Sequence, residues 1–134
     1  MDRVVVPVRY PLTEHSQKTL SEAVSIADER DAELTVLHVN LYQNGKSVRR
    51  SDLKRAVEQA FGDLPNARYA VRTGFLIEES ILEEVAAEDA DVVVIGHKQV
   101  GRWRRMLRRI VGEPDIETYL NQRLSCEIVT VGLR

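Results

Sequence analysis

Five short runs rich in β-branched residues alternate with stretches of helical periodicity along the whole chain. The runs are Arg3 to Val8, Glu33 to Val39, Arg68 to Thr73, Asp91 to Gly96 and Glu127 to Gly132. Between the first two, Leu20, Ala23, Val24 and Ala27 recur at helical spacing from Glu14 to Arg30, with Thr13 placed to cap the helix. Ser51 is the expected cap of a second helix, whose stripe is Leu53, Val57 and Ala60 and which stops at Phe61 before Gly62. Ile77, Ile81 and Val85 mark a third helix ending near Glu88. A fourth is expected between Asp115 and Arg123, after Pro114. Strands alternating with helices require right-handed crossovers. The fold class is therefore α/β: a single doubly wound, Rossmann-like parallel sheet of five strands, order 3-2-1-4-5, with helices on both faces.

In such a sheet the ligand site lies beyond the carboxyl ends of the strands where the strand order reverses, here between Val8-Arg9 and Gly96-His97. The second side of that crevice is chemically distinctive. After Gly96 comes a glycine-punctuated stretch to Gly112 that reads as a loop and holds six of the 19 Lys and Arg residues and none of the 21 acids. Backbone N–H groups at a strand end, combined with positive charge, suit an anion. The competing readings of Arg102 to Arg109 are a solvated face anchored by Trp103, Met106, Leu107 and Ile110, a dock for an acidic partner, and a short membrane-surface segment. With a net charge of −2 the chain is no nucleic-acid binder by bulk charge, and neither nucleic acid nor membrane is expected as a partner.

A length of 134 residues fits one domain, 1–134. No apolar run approaches a membrane span and the first residues lack a signal-peptide layout, so a cytoplasmic location is expected. Cys126 is the only cysteine, and His15, His38 and His97 lack ligand spacing, which leaves no basis for a disulfide or a metal site. The acids Glu78, Glu79, Glu83, Glu84, Glu88 and Asp89 are expected to spread over an exposed helical face. No Ser-His-Asp set, nucleophile elbow, P-loop or redox cysteine pair is present, so enzymatic activity is not expected, although weak nucleotide hydrolysis stays open.

The segments Val4 to Val8, Glu14 to Val39, Glu88 to Lys98 and the strand after Cys126 together resemble the universal stress protein family. The resemblance implies the α/β fold, a homodimer formed through the last strand (Glu127, Ile128, Val129, Thr130, Val131), and, in nucleotide-binding members, ATP between strands one and four. Alternating little, that strand would as an exposed edge invite pairing with its copy. The family's phosphate signature is a Gly, two residues, a Gly, nine residues, then Gly followed by Ser or Thr. Gly96 fits the first position and Gly112 is the candidate for the last, although its interval from Gly96 is three residues longer than the signature; Gln99 occupies the second position and Glu113 stands where a hydroxyl belongs. Arg9 replaces the usual Asp after the first strand, and Val39 falls at the adenine-flanking position. The candidate nucleotide contacts are therefore Val8, Arg9, Val39, Gly96, His97, Lys98, Gly101, Arg102, Gly112 and Glu113. The expected function is a non-catalytic stress-response or regulatory module whose adenine-nucleotide pocket is degenerate, with ATP binding weakened, retuned or lost. The alternative is genuine ATP binding in which Gly101 and the arginines form a shifted phosphate loop.

Overall fold

The computed structural model describes residues 2–45, 47–110 and 126–132, with 107–110 as backbone only. Its elements run β1 (Arg3–Pro7), α1 (Glu14–Arg30), β2 (Glu33–Leu41), α2 (Arg50–Phe61), β3 (Ala67–Gly74), α3 (Ile77–Ala87), β4 (Val92–Gly96), α4 (His97–Ile110) and β5 (Glu127–Val131). A short 3-10 turn, Tyr42–Asn44, follows β2. The sheet is parallel throughout, in the order β3-β2-β1-β4-β5 expected from the sequence.

The central strands are apolar on consecutive residues because both of their faces are covered. Val4 and Val6 pack beneath α1 and α2, among Leu20, Ala23, Leu53 and Val57. Val5 points the other way, to Ile81, Val85 and Trp103 from α3 and α4. All of these except Val85, at 1%, are completely buried. Cys126, just before β5, belongs to this second layer, where burial pushes its thiol pKa up to about 11 and leaves it unreactive near neutral pH.

Helix ends follow side-chain chemistry. Thr13 caps α1, its hydroxyl accepting from the Ser16 N–H at 3.0 Å. The start of α2 differs from the sequence expectation. Ser51 is inside the helix, Arg49 is the cap residue, and the Asp52 carboxylate accepts from the Arg49 N–H at 3.1 Å. An acid three residues past the cap does this without any cap hydroxyl. At the other end Gly62 takes φ +77°, which terminates α2 as expected. Between β2 and α2, the Asn40 side chain both donates to the Val48 carbonyl and accepts from its N–H, each at 3.0 Å.

Two expectations are corrected. The stretch after Gly96 is no loop: α4 begins at His97, directly on the end of β4. Val100 and Trp103 are buried and Met106 half-buried, so spacing of three builds an apolar stripe, and arginine is itself a good helix former. Enclosing the indole stabilises by about 4 kcal/mol at 25 cal/mol per Å². Its Nε1–H also donates to the Glu78 carbonyl at 3.2 Å, and together these outweigh the roughly 1 kcal/mol that Gly101 costs a helix. The acidic run is not wholly exposed either: the side chains of Glu84 and Glu88 retain only 9% and 5% exposure, because they face the sheet and its arginines. The helix expected over 115–123 lies outside the described residues.

Leu20→Ala empties a fully enclosed position between α1 and the sheet. It is expected to lower the unfolding free energy by about 2–5 kcal/mol in a urea titration, against about 1 kcal/mol for loss of the Thr13 cap in Thr13→Ala.

Candidate functional site

β1 pairs with β4 only through Val4–Val92 and Val5–Val93, whereas it stays registered with β2 as far as Pro7–Leu37. The Val8 N–H extends that second pairing to the Leu37 carbonyl at 2.8 Å. Past Val5 and Val93 the two strands therefore part. A cleft of ≈ 370 Å³ opens at their carboxyl ends.

Its rim is held by short polar links. The Arg9 N–H donates to Ser16 Oγ at 3.0 Å, and Ser16 Oγ also accepts from the Thr13 hydroxyl at 3.1 Å, locking the turn after β1 to the first turn of α1. His38 Nδ1 is 3.1 Å from the Val8 carbonyl. Because a carbonyl only accepts, the proton is assigned to Nδ1, which leaves Nε2 as the ring's acceptor when neutral. Tyr10 packs edge-on against the same ring, at 6.2 Å between centroids.

The lining divides into two chemistries. Val8, Val39, Ile77 and Ile81 form an apolar wall. Arg9, His15, Lys18, His97, Lys98 and Arg102 supply basic groups, and no Asp or Glu appears among the described lining residues. The start of α4 faces the same space, and the first N–H groups of a helix have no intrahelical acceptor. Their partial positive charge adds to that of the side chains. Gln99 contributes a further donor: its amide nitrogen is buried with no acceptor among the described residues. This residue replaces the signature's second glycine, so a side-chain amide stands where the family motif offers bare backbone. The arrangement suits a ligand with an apolar or aromatic part and an anionic group.

Most of the sequence-derived contacts meet here: Val8, Arg9, Val39, Gly96, His97, Lys98 and Arg102 all line the cleft. Gly101 does not. It lies within α4, where an added Cβ would meet nothing within 4 Å, so the shifted glycine loop has no counterpart in the fold. Gly112 and Glu113 are outside the described residues. Gly96 has room on its protein side, with Thr19 Oγ1 at 3.6 Å from a notional Cβ. Sequence reasoning missed His15 and Lys18. The signal was available, since the first turn of the helix after β1 must overhang the site in this topology. Gly132, after β5, also borders the cleft, and a Cβ there would fall 2.9 Å from that of His97.

Comparisons with known proteins agree with this fold. The family model for the universal stress protein family matches residues 1–114. Universal stress protein UspA from Lactobacillus plantarum is similar in structure, with a TM-score of 0.61 and 18% identity over 97% of each chain. A universal stress protein from Archaeoglobus fulgidus in complex with dAMP gives a TM-score of 0.61 at 16% identity, over 97% of each chain. One in complex with cAMP gives 0.55 at 18% identity, over 97% of this chain and 96% of that one. No curated protein matches the chain.

Gly101→Ala is expected to stabilise the protein by about 0.5–1 kcal/mol in chemical denaturation and to leave ligand binding unchanged. A loss of affinity in that variant would restore the shifted-loop reading.

Proposed function

The chain belongs to the universal stress protein family, and from that premise we propose that it is a non-catalytic regulatory module of the stress response whose cleft takes an adenine mononucleotide in preference to ATP. The observation that carries this reading is the start of α4 directly on Gly96. A glycine loop wraps successive phosphates in backbone N–H groups, whereas one helix terminus presents a single compact cluster of donors. Lys98 and Arg102, one turn apart on α4, flank that cluster, and Arg9 and Lys18 close it from the side of β1 and α1. The apolar wall of Val39, Ile77 and Ile81 suits a purine. Similar folds in complex with dAMP and cAMP support a single-phosphate ligand.

Calorimetric titration of nucleotide-stripped protein with AMP, cAMP and ATP tests this. AMP or cAMP is expected to bind at least tenfold more tightly than ATP, and Arg102→Ala to weaken it by about 1.5–3 kcal/mol, the usual contribution of a charge-assisted hydrogen bond. Tighter binding of ATP would instead favour a triphosphate site built on the arginines. Absence of heat with every nucleotide at millimolar concentration would redirect the search to an acidic partner of the Arg102–Arg109 segment.

The proposed assembly is a homodimer through β5. This strand pairs with β4 alone among the described residues, and its Ile128, Val129 and Val131 are half-buried on an open edge. Val129→Lys places a charge on that edge and is expected to halve the mass measured by light scattering. An unchanged mass would place the interface elsewhere.

A further inference from the structure

Away from the cleft, between the end of α3 and the sheet, two carboxyl groups are buried, of which only one has a close cationic partner. Arg72 Nε on β3 donates to Glu84 Oε1 at 2.6 Å, while its other nitrogen reaches the exposed Glu83 at 3.6 Å. Glu88 receives no comparable ion pair. Its Oε1 accepts from the Thr35 hydroxyl of β2 at 2.6 Å, and the nearest guanidinium groups, Arg3 of β1 and Arg68 of β3, stand off at 3.9 and 4.0 Å. The Arg3 guanidinium is shared further with Glu33 at 3.7 Å, while the Arg3 backbone N–H donates to the Asp91 carboxylate at 2.8 Å. Asp89 and Asp91 border the same hollow, adding negative potential. Glu88 Oε2 is buried and has no donor among the described residues.

We propose that Glu84 and Glu88 hold one proton between them and that its release unseats the last turn of α3, making the protein a proton sensor. The chemistry is that of two acids in one site: the first ionises easily and the second resists. Glu84 is the ionised partner, because the hydrogen bonds from Glu88 and Arg72 prevail over burial and keep it below the usual carboxylate range. Burial, then the hydrogen bond and charge of Glu84, push Glu88 up to about 7, against the pull of Thr35 and Arg68. Glu88 also closes α3, its N–H bonded to the Glu84 carbonyl at 3.0 Å, so its charge would fall at the negative end of the helix dipole. With the proton in place, the pair joins α3 to β2 and β3. Without it, two anions face each other out of water, and the last turn relieves them only by moving outward.

The opposite end of the same helix carries Ile77 and Ile81 into the cleft wall, and the Glu78 carbonyl receives the indole of Trp103. A proton lost at one end of α3 is thereby felt at the other. The proton site itself is independent of what the cleft binds.

The sign of the linkage follows from the raised folded pKa. Stability from the shared proton is complete below about 4.5, the ordinary value for Glu88, and is lost as pH rises through about 7, levelling off beyond it. Carbon-13 NMR of the glutamate carboxyl groups, read from pH 4 to 9 alongside the emission of Trp103, the single tryptophan, tests this on the ligand-free protein. One carboxyl is expected to titrate near 7, and Trp103 emission to shift to longer wavelength with the same midpoint. Glu88→Gln keeps a donor toward Glu84 and an acceptor for Thr35, and should abolish both transitions while leaving the histidines in place. Glu84→Gln should move the Glu88 midpoint down by more than one pH unit. Titration of every glutamate below 5.5 would overturn the proton site. A neutral-range titration with Trp103 emission unchanged would overturn its control of α3.

Discussion

Everything distinctive about this molecule depends on β1 and β4 staying together for two residue pairs and then separating. Val4 and Val5 hold Val92 and Val93 in the middle of the core, where all four are completely buried. Beyond that point β1 follows β2 and β4 follows β5. The strand order makes this parting unavoidable, because the chain leaves β1 in one direction and returns on its other side to lay down β4. A cleft at this place is thus a property of the topology. The charge it carries is a property of the residues that happen to border it.

The fold sorts charge between two regions. At the carboxyl ends, basic side chains and two helix starts converge on the cleft without an opposing acid among the described lining residues. Away from the cleft, arginines of β1 and β3 surround buried acids at the end of α3, and one carboxyl is reached by its arginines only at 3.9 and 4.0 Å. Neither arrangement is visible in the overall charge of −2. Both arise from which turn of a helix lies nearest to which part of the sheet. The α3 helix is common to the two regions, apolar where it borders the first and acidic where it borders the second.

The strand order, the paired layers of the core and the position of the cleft were all legible in the residues, because β-branched runs and helical spacing depend on burial and little else. The α4 segment was misread as loop for an identifiable reason. Glycines at 96, 101 and 112 and a dense basic run are both ordinary loop signals, and the opposing evidence was three apolar residues whose weight depends on burial that no local pattern reports. Glu84 and Glu88 were hidden in the same way. Six acids in a dozen positions look solvated, and only the placement of Thr35 and Arg72 across from two of them makes the difference. The Gln99 substitution shows the reverse limit: comparison with a motif marks it as a loss, while the geometry gives the amide a place in the cleft.

The double hydrogen bond from Asn40 to the backbone of Val48 closes the excursion between β2 and α2 into a ring at its base. Its two ends are thereby fixed to each other and to β2, to which Asn40 itself belongs and whose end supports the cleft. The excursion is accordingly the place where this architecture tolerates foreign residues, whether acquired in evolution as a lineage-specific insert or grafted in as a recognition loop, while the cleft keeps its shape.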